Sequence, residues 1–328
     1  MTFKQFLSVI LSLFIFLSFS SCKTTKSNIY MKFIGQSFIQ EGIKIGDVAQ
    51  NNNRLYFLEP QTSNIFIASI SNHEGKDTAI DINLLGSYFP ETILRSPTSI
   101  CSDENNTLFI LETGDKINLT GVRLVPSSGY QYPLHVRAIY ENGEMKEVPN
   151  LHLIKELNQA GEARKIRCFN DNLIIMFEDL NSILFLKREN FEKNTLSYFM
   201  LNLPQKPIDF DAGKDTFVVL LEDFTIYRYE YNSSDDNIAL KSTYKLQNLT
   251  NSINIELTFS ENENIITLYD REKDKIYIIK DNEQDIPISS KGIYKVFKLK
   301  IEGNEEIAAL KKEKGIKDYE YFIYKITV

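Results

Sequence analysis

Residues 210–231 read FDAGKDTFVVLLEDFTIYRYEY, and the same device returns five more times along the chain. It consists of a short strand, a tight polar turn, an almost wholly apolar strand that ends at an acidic residue or turn, and a further strand. The other copies are DVAQNNNRLYFLEPQTSNIFIASI (47–70), CSDENNTLFILETGD (101–115), RCFNDNLIIMFEDLNSILFLKR (167–188), FSENENIITLYDREKDKIYIIK (259–280) and IEGNEEIAALKKEKGIKDYEYFIYKI (301–326). The segments LYFL, LFIL, LIIM, FVVLL and IITLY are apolar at successive positions, so both faces of these strands must be covered by other protein. The strand after each turn alternates instead. In TIYRYEY, Ile226, Arg228 and Glu230 share one face while Tyr227, Tyr229 and Tyr231 share the other, the pattern of a half-exposed strand. The turns NNN, DENN, ND, AGKD, ENEN and EGNEE carry the residues that tolerate positive φ at hairpin corners.

With the acidic residue after the apolar strand as a ruler, Glu59, Glu112, Glu178, Glu222 and Asp270 lie 53, 66, 44 and 48 positions apart. Candidates for a fourth, outermost strand follow the first four hairpins as TAIDINLL, EMKEVPNL, LSYFMLNL and ALKSTYKL. The sixth unit has none before Val328, whereas IYMKFIGQSFI (29–39) has strand character and no partner in its own neighbourhood. Pairing residues 30–38 with 319–327 closes a ring and protects two open edges. This layout resembles the β-propeller superfamily, over nearly the whole chain beyond its first residues, by period and pattern. The resemblance implies an all-β fold of six four-stranded blades closed by an N-terminal strand. The chain has no Trp, so the WD dipeptide and the Trp docking positions of quinoprotein-like propellers are absent, as is the kelch diglycine.

At the N-terminus a single early charge, Lys4, precedes an unbroken apolar run from Phe6 to Phe19, then Ser20, Ser21 and Cys22. A basic start, an apolar stretch too short for a permanent span and small residues at the cut describe a secretory signal. Small residues before a cysteine resemble a bacterial lipobox, with Phe19 where that pattern usually has Leu, Val or Ile, as in the relaxed lipoboxes of spirochaetes. The resemblance implies that Cys22 is lipidated and becomes the first residue, and that several acyl chains hold the protein on a membrane it does not span. The expected organisation is a signal peptide over 1–21, a lipidated tether over 22–28, and one propeller domain over 29–328.

Composition narrows the chemistry. With 37 basic and 44 acidic residues the net charge is −7, and no Lys/Arg cluster with interleaved aromatics occurs, which argues against nucleic acid as a partner. Cys101 and Cys168 sit in apolar strand-like segments, TSICSD and KIRCFN, and read as two buried thiols instead of a bridge. His73, His135 and His152 are not paired at ligand spacing and are expected to face solvent. There is no CxxC, no G-x-S-x-G elbow and no phosphate-cradling glycine loop, so no enzyme, cofactor or metal is expected. Asp209, Asp211 and Asp215 around Gly213 have the start of a calcium-loop pattern, but without its distal bidentate Glu and inside the repeat's ordinary turn.

One irregularity stands out: the excess between the second and third apolar strands, an insertion around 113–163. It includes GDKINLTGVRLVPSSGYQYP (114–133) and LHLIKELNQAGEA (151–163), where the spacing of Leu151, Ile154 and Leu157 predicts a helix. In the first part, Leu119, Val122, Leu124, Val125, Tyr130 and Tyr132 give apolar anchors to a segment the repeat does not need, and they are the candidate partner-binding residues. Joining Cys22, the repeats and the Asn-, Lys-, Ile- and Phe-rich composition, the chain is similar to the accessory propeller lipoproteins of the outer-membrane β-barrel assembly machinery, particularly spirochaetal ones. That similarity implies a non-catalytic scaffold for envelope proteins, anchored at the outer membrane, with the periplasmic leaflet favoured over the surface. The alternatives are a ligand-binding or metal-dependent hydrolytic propeller, and a surface lipoprotein that contacts host molecules.

Overall fold

What covers the two-faced apolar strands is the next copy of the same unit. The computed structural model describes residues 30–37, 44–51, 53–72, 80–88, 94, 96–113, 134–159, 161–177, 179–232, 237–247, 249, 252, 254–281, 283–284, 287–301, 304–314 and 319–327. They form six antiparallel blades, a six-bladed β-propeller. Blade 1 comprises Asp47–Asn51, Arg54–Glu59, Asn64–Asn72 and Ile80–Tyr88, and blade 2 Pro97–Ser102, Leu108–Glu112, His135–Ile139 and Met145–Glu147. Blade 3 is Ala163–Phe169, Asn172–Phe177, Ser182–Lys187 and Tyr198–Asn202, and blade 4 Pro207–Ala212, Thr216–Leu221, Thr225–Asn232 and Asn237–Lys245. Blade 5 runs Ile255–Ser260, Ile265–Asp270 and Lys275–Lys280. Its outer edge is two short pieces, Glu283–Gln284 and Ile288–Ser289, which pair with opposite ends of the third strand.

Blade 6 takes three strands from the end of the chain, Ile293–Ile301, Asn304–Lys314 and Tyr319–Thr327, and its fourth from the start, Tyr30–Ser37. The closing register runs antiparallel from Tyr30↔Thr327 to Gln36↔Phe322, as the repeat count requires. A further seam was not legible in the sequence: the same N-terminal strand pairs in parallel with the outer strand of blade 1, Gly35↔Ile80 through Ser37↔Ile82, so the first and last blades join as one continuous sheet.

The core is divided among the blade junctions. In blade 4, Phe217, Val219 and Leu221 pack toward blade 3, while Val218 and Leu220 pack toward blade 5. Because side chains alternate across a strand, a segment apolar at every position supplies both junctions at once. The same division recurs around the ring, from the blade 1–2 cluster of Leu58, Ile65, Ile100 and Ile110 to the blade 6–1 cluster of Leu55, Phe57, Phe297 and Leu310. Between blades 3 and 4, Phe217 meets Phe169 edge-on at 5.2 Å and stacks on Tyr229 at 4.9 Å, so aromatic docking occurs without Trp. Asn106, Asn170 and Asn264 hold positive φ at the corners between first and second strands, as the turn composition predicts.

Two expectations need correction. The 151–163 stretch does not form an α-helix: it makes two 3-10 turns, Leu151–Leu153 and Lys155–Gln159, and Leu151, Ile154 and Leu157 plug the blade 2–3 junction. Their spacing reflects burial of one face, which a short turn satisfies as well as a helix. His135 is half-buried instead of fully exposed and bonds Glu147 through Nδ1; His152 is exposed, and His73 lies outside the described residues.

Candidate functional site: the channel wall

The first strand of each blade faces the central channel, and it is also the blade's edge, with no neighbouring strand to satisfy its outward N–H groups. Polar side chains from the preceding blade do so. Asp47 accepts the Ile100 N–H at 3.1 Å, and Ser99 Oγ accepts the Ile166 N–H at 3.1 Å. Two blades on from Ser99, Asp209 accepts from Leu257 at 2.7 Å and Asp211 from Phe259 at 2.9 Å. At the seam between the last and first blades the direction is reversed: Gln50 of blade 1 donates through Nε2 to the Lys300 carbonyl of blade 6 and accepts the Lys300 N–H at Oε1, both at 2.6 Å.

Burying carboxylates to make these bonds demands counter-charge. Arg167 supplies it to two of them, with Nη1 2.9 Å and Nη2 3.1 Å from the two Asp47 oxygens and Nε 2.8 Å from Asp211. Lys298 lies 3.4 Å from Asp211, and Lys165 reaches both Asp209 oxygens at 2.9 Å. Lys295 bridges Glu256 at 3.2 Å and the Gly46 carbonyl at 2.7 Å. Arg271 holds the same Glu256 at 2.6 Å. Thus every one of Asp47, Asp209, Asp211 and Glu256 is held by at least one of Lys165, Arg167, Arg271, Lys295 and Lys298, four carboxylates among five cations.

The titration behaviour follows from this packing. Burial works to raise the Asp47 pKa, but Arg167 and Lys295 overcome it and hold the carboxyl well below the usual carboxylate range. Asp211 is lowered for the same reason, with burial outweighed by Lys298 and Arg167. At Asp209 the balance tips the other way: burial raises the pKa and Lys165 only partly offsets it. The wall encloses a cavity of about 1410 Å³. At the mouth formed by the turns between first and second strands, Arg188 joins blade 2 to blade 3 through Asp103 at 2.6 Å and Asp171 at 2.9 Å.

Asp209 and Asp211, singled out as part of a calcium pattern, lie on the first strand of blade 4 and each is tied to a cation; Asp215 is in the following turn, where its N–H donates to Glu261. Among the described residues no group of three or more His, Cys, Asp or Glu is arranged to hold a metal ion. Cys22 and the candidate partner residues Leu119, Val122, Leu124, Val125, Tyr130 and Tyr132 lie outside the described residues. The attachment points of their segment are defined: Glu112 and His135 face each other as paired residues of adjacent strands. Directly behind them Arg137, itself buried, pairs with the fully buried Glu112 at 2.8 Å. The channel network escaped sequence reading because its members are scattered over the blades. The available signal was a pair of charges two positions apart in the strand that opens a unit, Lys165/Arg167 and Asp209/Asp211.

Fold and channel together define a β-propeller. No protein-family model matches the sequence, and none of the curated proteins matches it significantly. Among solved structures, the chain is similar to streptogramin B lyase, at 13% identity over 91% of this chain and 97% of that one, with a TM-score of 0.51. It is also similar to the major allergen Mala s 1 of Malassezia sympodialis, at 11% identity over 87% and 93% and a TM-score of 0.55. A third is the periplasmic gluconolactonase of Pseudomonas aeruginosa, at 8% identity over 86% and 85% and a TM-score of 0.51. At these identities the likeness is one of fold.

Proposed function

We propose that this chain is a lipid-anchored, non-catalytic propeller that acts as a protein-interaction scaffold in the cell envelope, in support of outer-membrane protein assembly. Cys22 is its attachment point, and Lys23 after it, in place of the Asp that commonly retains lipoproteins at an inner membrane, favours the outer membrane. The observation that carries the non-catalytic reading is the charge balance of the channel. A metal-dependent hydrolase needs oxygen ligands free to bind a hard cation. Here Asp47, Asp209, Asp211 and Glu256 are each committed to Lys or Arg, and three of them also accept backbone N–H groups of the next blade. These carboxylates act as fasteners. Interaction then falls to the outer surfaces and to the 114–133 insertion, which leaves and re-enters blade 2 at paired residues.

The size of the channel favours one rival, a ligand-binding or hydrolytic propeller that accepts a small molecule between the blades. Calorimetric titration of the full chain with Ca²⁺, Mg²⁺, Mn²⁺ and Zn²⁺, paired with a lactone-hydrolysis assay, separates the two. The scaffold reading expects no saturable ion binding and no turnover. A channel-dependent ion site with hydrolysis, lost in Asp209→Asn, would replace it with the rival.

A further inference from the structure

Cys101 and Cys168 lie on the first strands of blades 2 and 3, and their Sγ atoms approach to 2.8 Å. The strands that carry them are fixed to each other on the same stretch: the Ile166 N–H donates to Ser99 Oγ at 3.1 Å, and Arg167 Nη1 donates to the Ile100 carbonyl at 3.3 Å. A shift of under about 1 Å separates this contact from the ~2.05 Å of an S–S bond. We propose that Cys101 and Cys168 are a redox-active pair that closes to an intramolecular disulfide and staples blade 2 to blade 3 at the channel wall.

The geometry assigns different roles to the two sulfurs. Cys168 is half-buried, whereas Cys101 is 6% exposed, and both border the channel. The oxidant is a small organic disulfide entering through that channel. The Cys168 thiol loses its proton and attacks one sulfur of this co-reactant; its S–S bond breaks and the first thiol leaves. Cys101 then loses its proton and attacks Cys168 Sγ within the mixed disulfide, and the second thiol leaves. The two cysteines give up two electrons and two protons, and the co-reactant is reduced to two thiols. Burial and the neighbouring Cys168 push the Cys101 thiol well up, which leaves the more accessible Cys168 to attack first.

The cross-link spans 67 positions and encloses the entire 114–133 insertion. Closing a loop of that length restricts the unfolded chain, so the oxidised form is the more stable one. The full chain, reduced and then incubated with glutathione disulfide, is quenched in acid, alkylated with N-ethylmaleimide and digested without reductant for mass spectrometry. The expected product is one cross-linked species joining the Cys101 and Cys168 peptides, reversible by dithiothreitol, with a melting temperature above that of the reduced chain. Cys101→Ser is expected to stop at a glutathione adduct on Cys168. Two results overturn the proposal: both thiols still alkylated after exposure to glutathione disulfide and to the smaller hydroxyethyl disulfide, or a bridge that recruits Cys22 instead. A C101S chain that leaves Cys168 unmodified, while wild type cross-links, overturns the assigned order of attack.

Discussion

Arg167 grips Asp47 with both terminal nitrogens although 120 positions separate them, and between the two lies the first strand of blade 2, whose Ile100 carbonyl the same guanidinium touches. Through its Nε it also holds Asp211 of blade 4. One side chain thus ties four consecutive blades at the channel wall. Removing it leaves the buried Asp47 without its principal partner and Asp211 with Lys298 as its remaining close cation. Arg167→Met is expected to destabilise the fold by about 3 kcal/mol or more in urea denaturation. Arg167→Lys is expected to recover little, because an ammonium cannot present the planar fork that spans both acids.

Acid should act through these same groups with opposite signs. Asp47 has a folded pKa below its ordinary 3.8, so the stability it contributes is complete above that value and is lost as pH falls through the folded pKa. The deficit of Asp47→Asn relative to wild type is therefore expected to shrink as pH drops below about 4. Asp209, raised by burial, behaves conversely: its ionised form is disfavoured in the fold, and the disadvantage disappears on protonation. Wild type should gain on Asp209→Asn as pH falls through that raised pKa, a gain complete near the ordinary 3.8, before the loss at Asp47 sets in. Melting curves of the three chains from neutral pH downward read both trends.

Gly213 sits where the turn of blade 4 meets Glu261 of blade 5. A Cβ at this position would lie 2.5 Å from Glu261 Oε2 and 2.7 Å from Glu261 Cβ, too close for the side chain's tip alone to adjust. Glu261 also receives the Asp215 N–H at 3.2 Å and the Lys214 N–H. Gly213→Ala is expected to cost about 1–3 kcal/mol by overpacking. Glu261→Ala in the same chain should recover part of that loss, a coupling measurable by a double-mutant cycle.

Ring closure makes a sharper demand. Tyr30–Ser37 completes blade 6 and also bonds blade 1, so a chain starting at Gly42 loses both seams. Its melting temperature is expected to fall by about 5 °C or more, in one transition for the whole domain. Unchanged melting would show that the strand is an appendage.

The ring was legible because its signal is repeated. Segments such as FVVLL and LIIM are apolar at every position, and only a strand sandwiched between two sheets can bury such a run. Closure followed from the same count: Tyr319–Thr327 and Tyr30–Ser37 each lacked a neighbour. The parallel seam to Ile80–Tyr88 had no such signature, since it depends on where two outer strands happen to run. The channel network was hidden for a related reason. Asp47, Arg167 and Asp211 look like ordinary strand charges until the fold brings three blades together, and an Asp pair beside a glycine imitates a calcium loop in one dimension. His135 was misread because a lone His carries no pattern, and its Glu147 partner, on the neighbouring strand of the blade, is twelve positions away in sequence.

The scaffold account is tested most directly by recovering the affinity-tagged chain from detergent-solubilised envelopes in two forms, intact and with 114–133 replaced by a short Gly/Ser link between Thr113 and Leu134. Because Glu112 and His135 are already paired, the link needs to span only a hairpin, and the altered chain is expected to melt like wild type. The account predicts that the intact chain brings down envelope proteins in fixed ratio and that the altered chain, equally abundant and membrane-bound through Cys22, loses them. Identical partners in both preparations, or none in either, would contradict it.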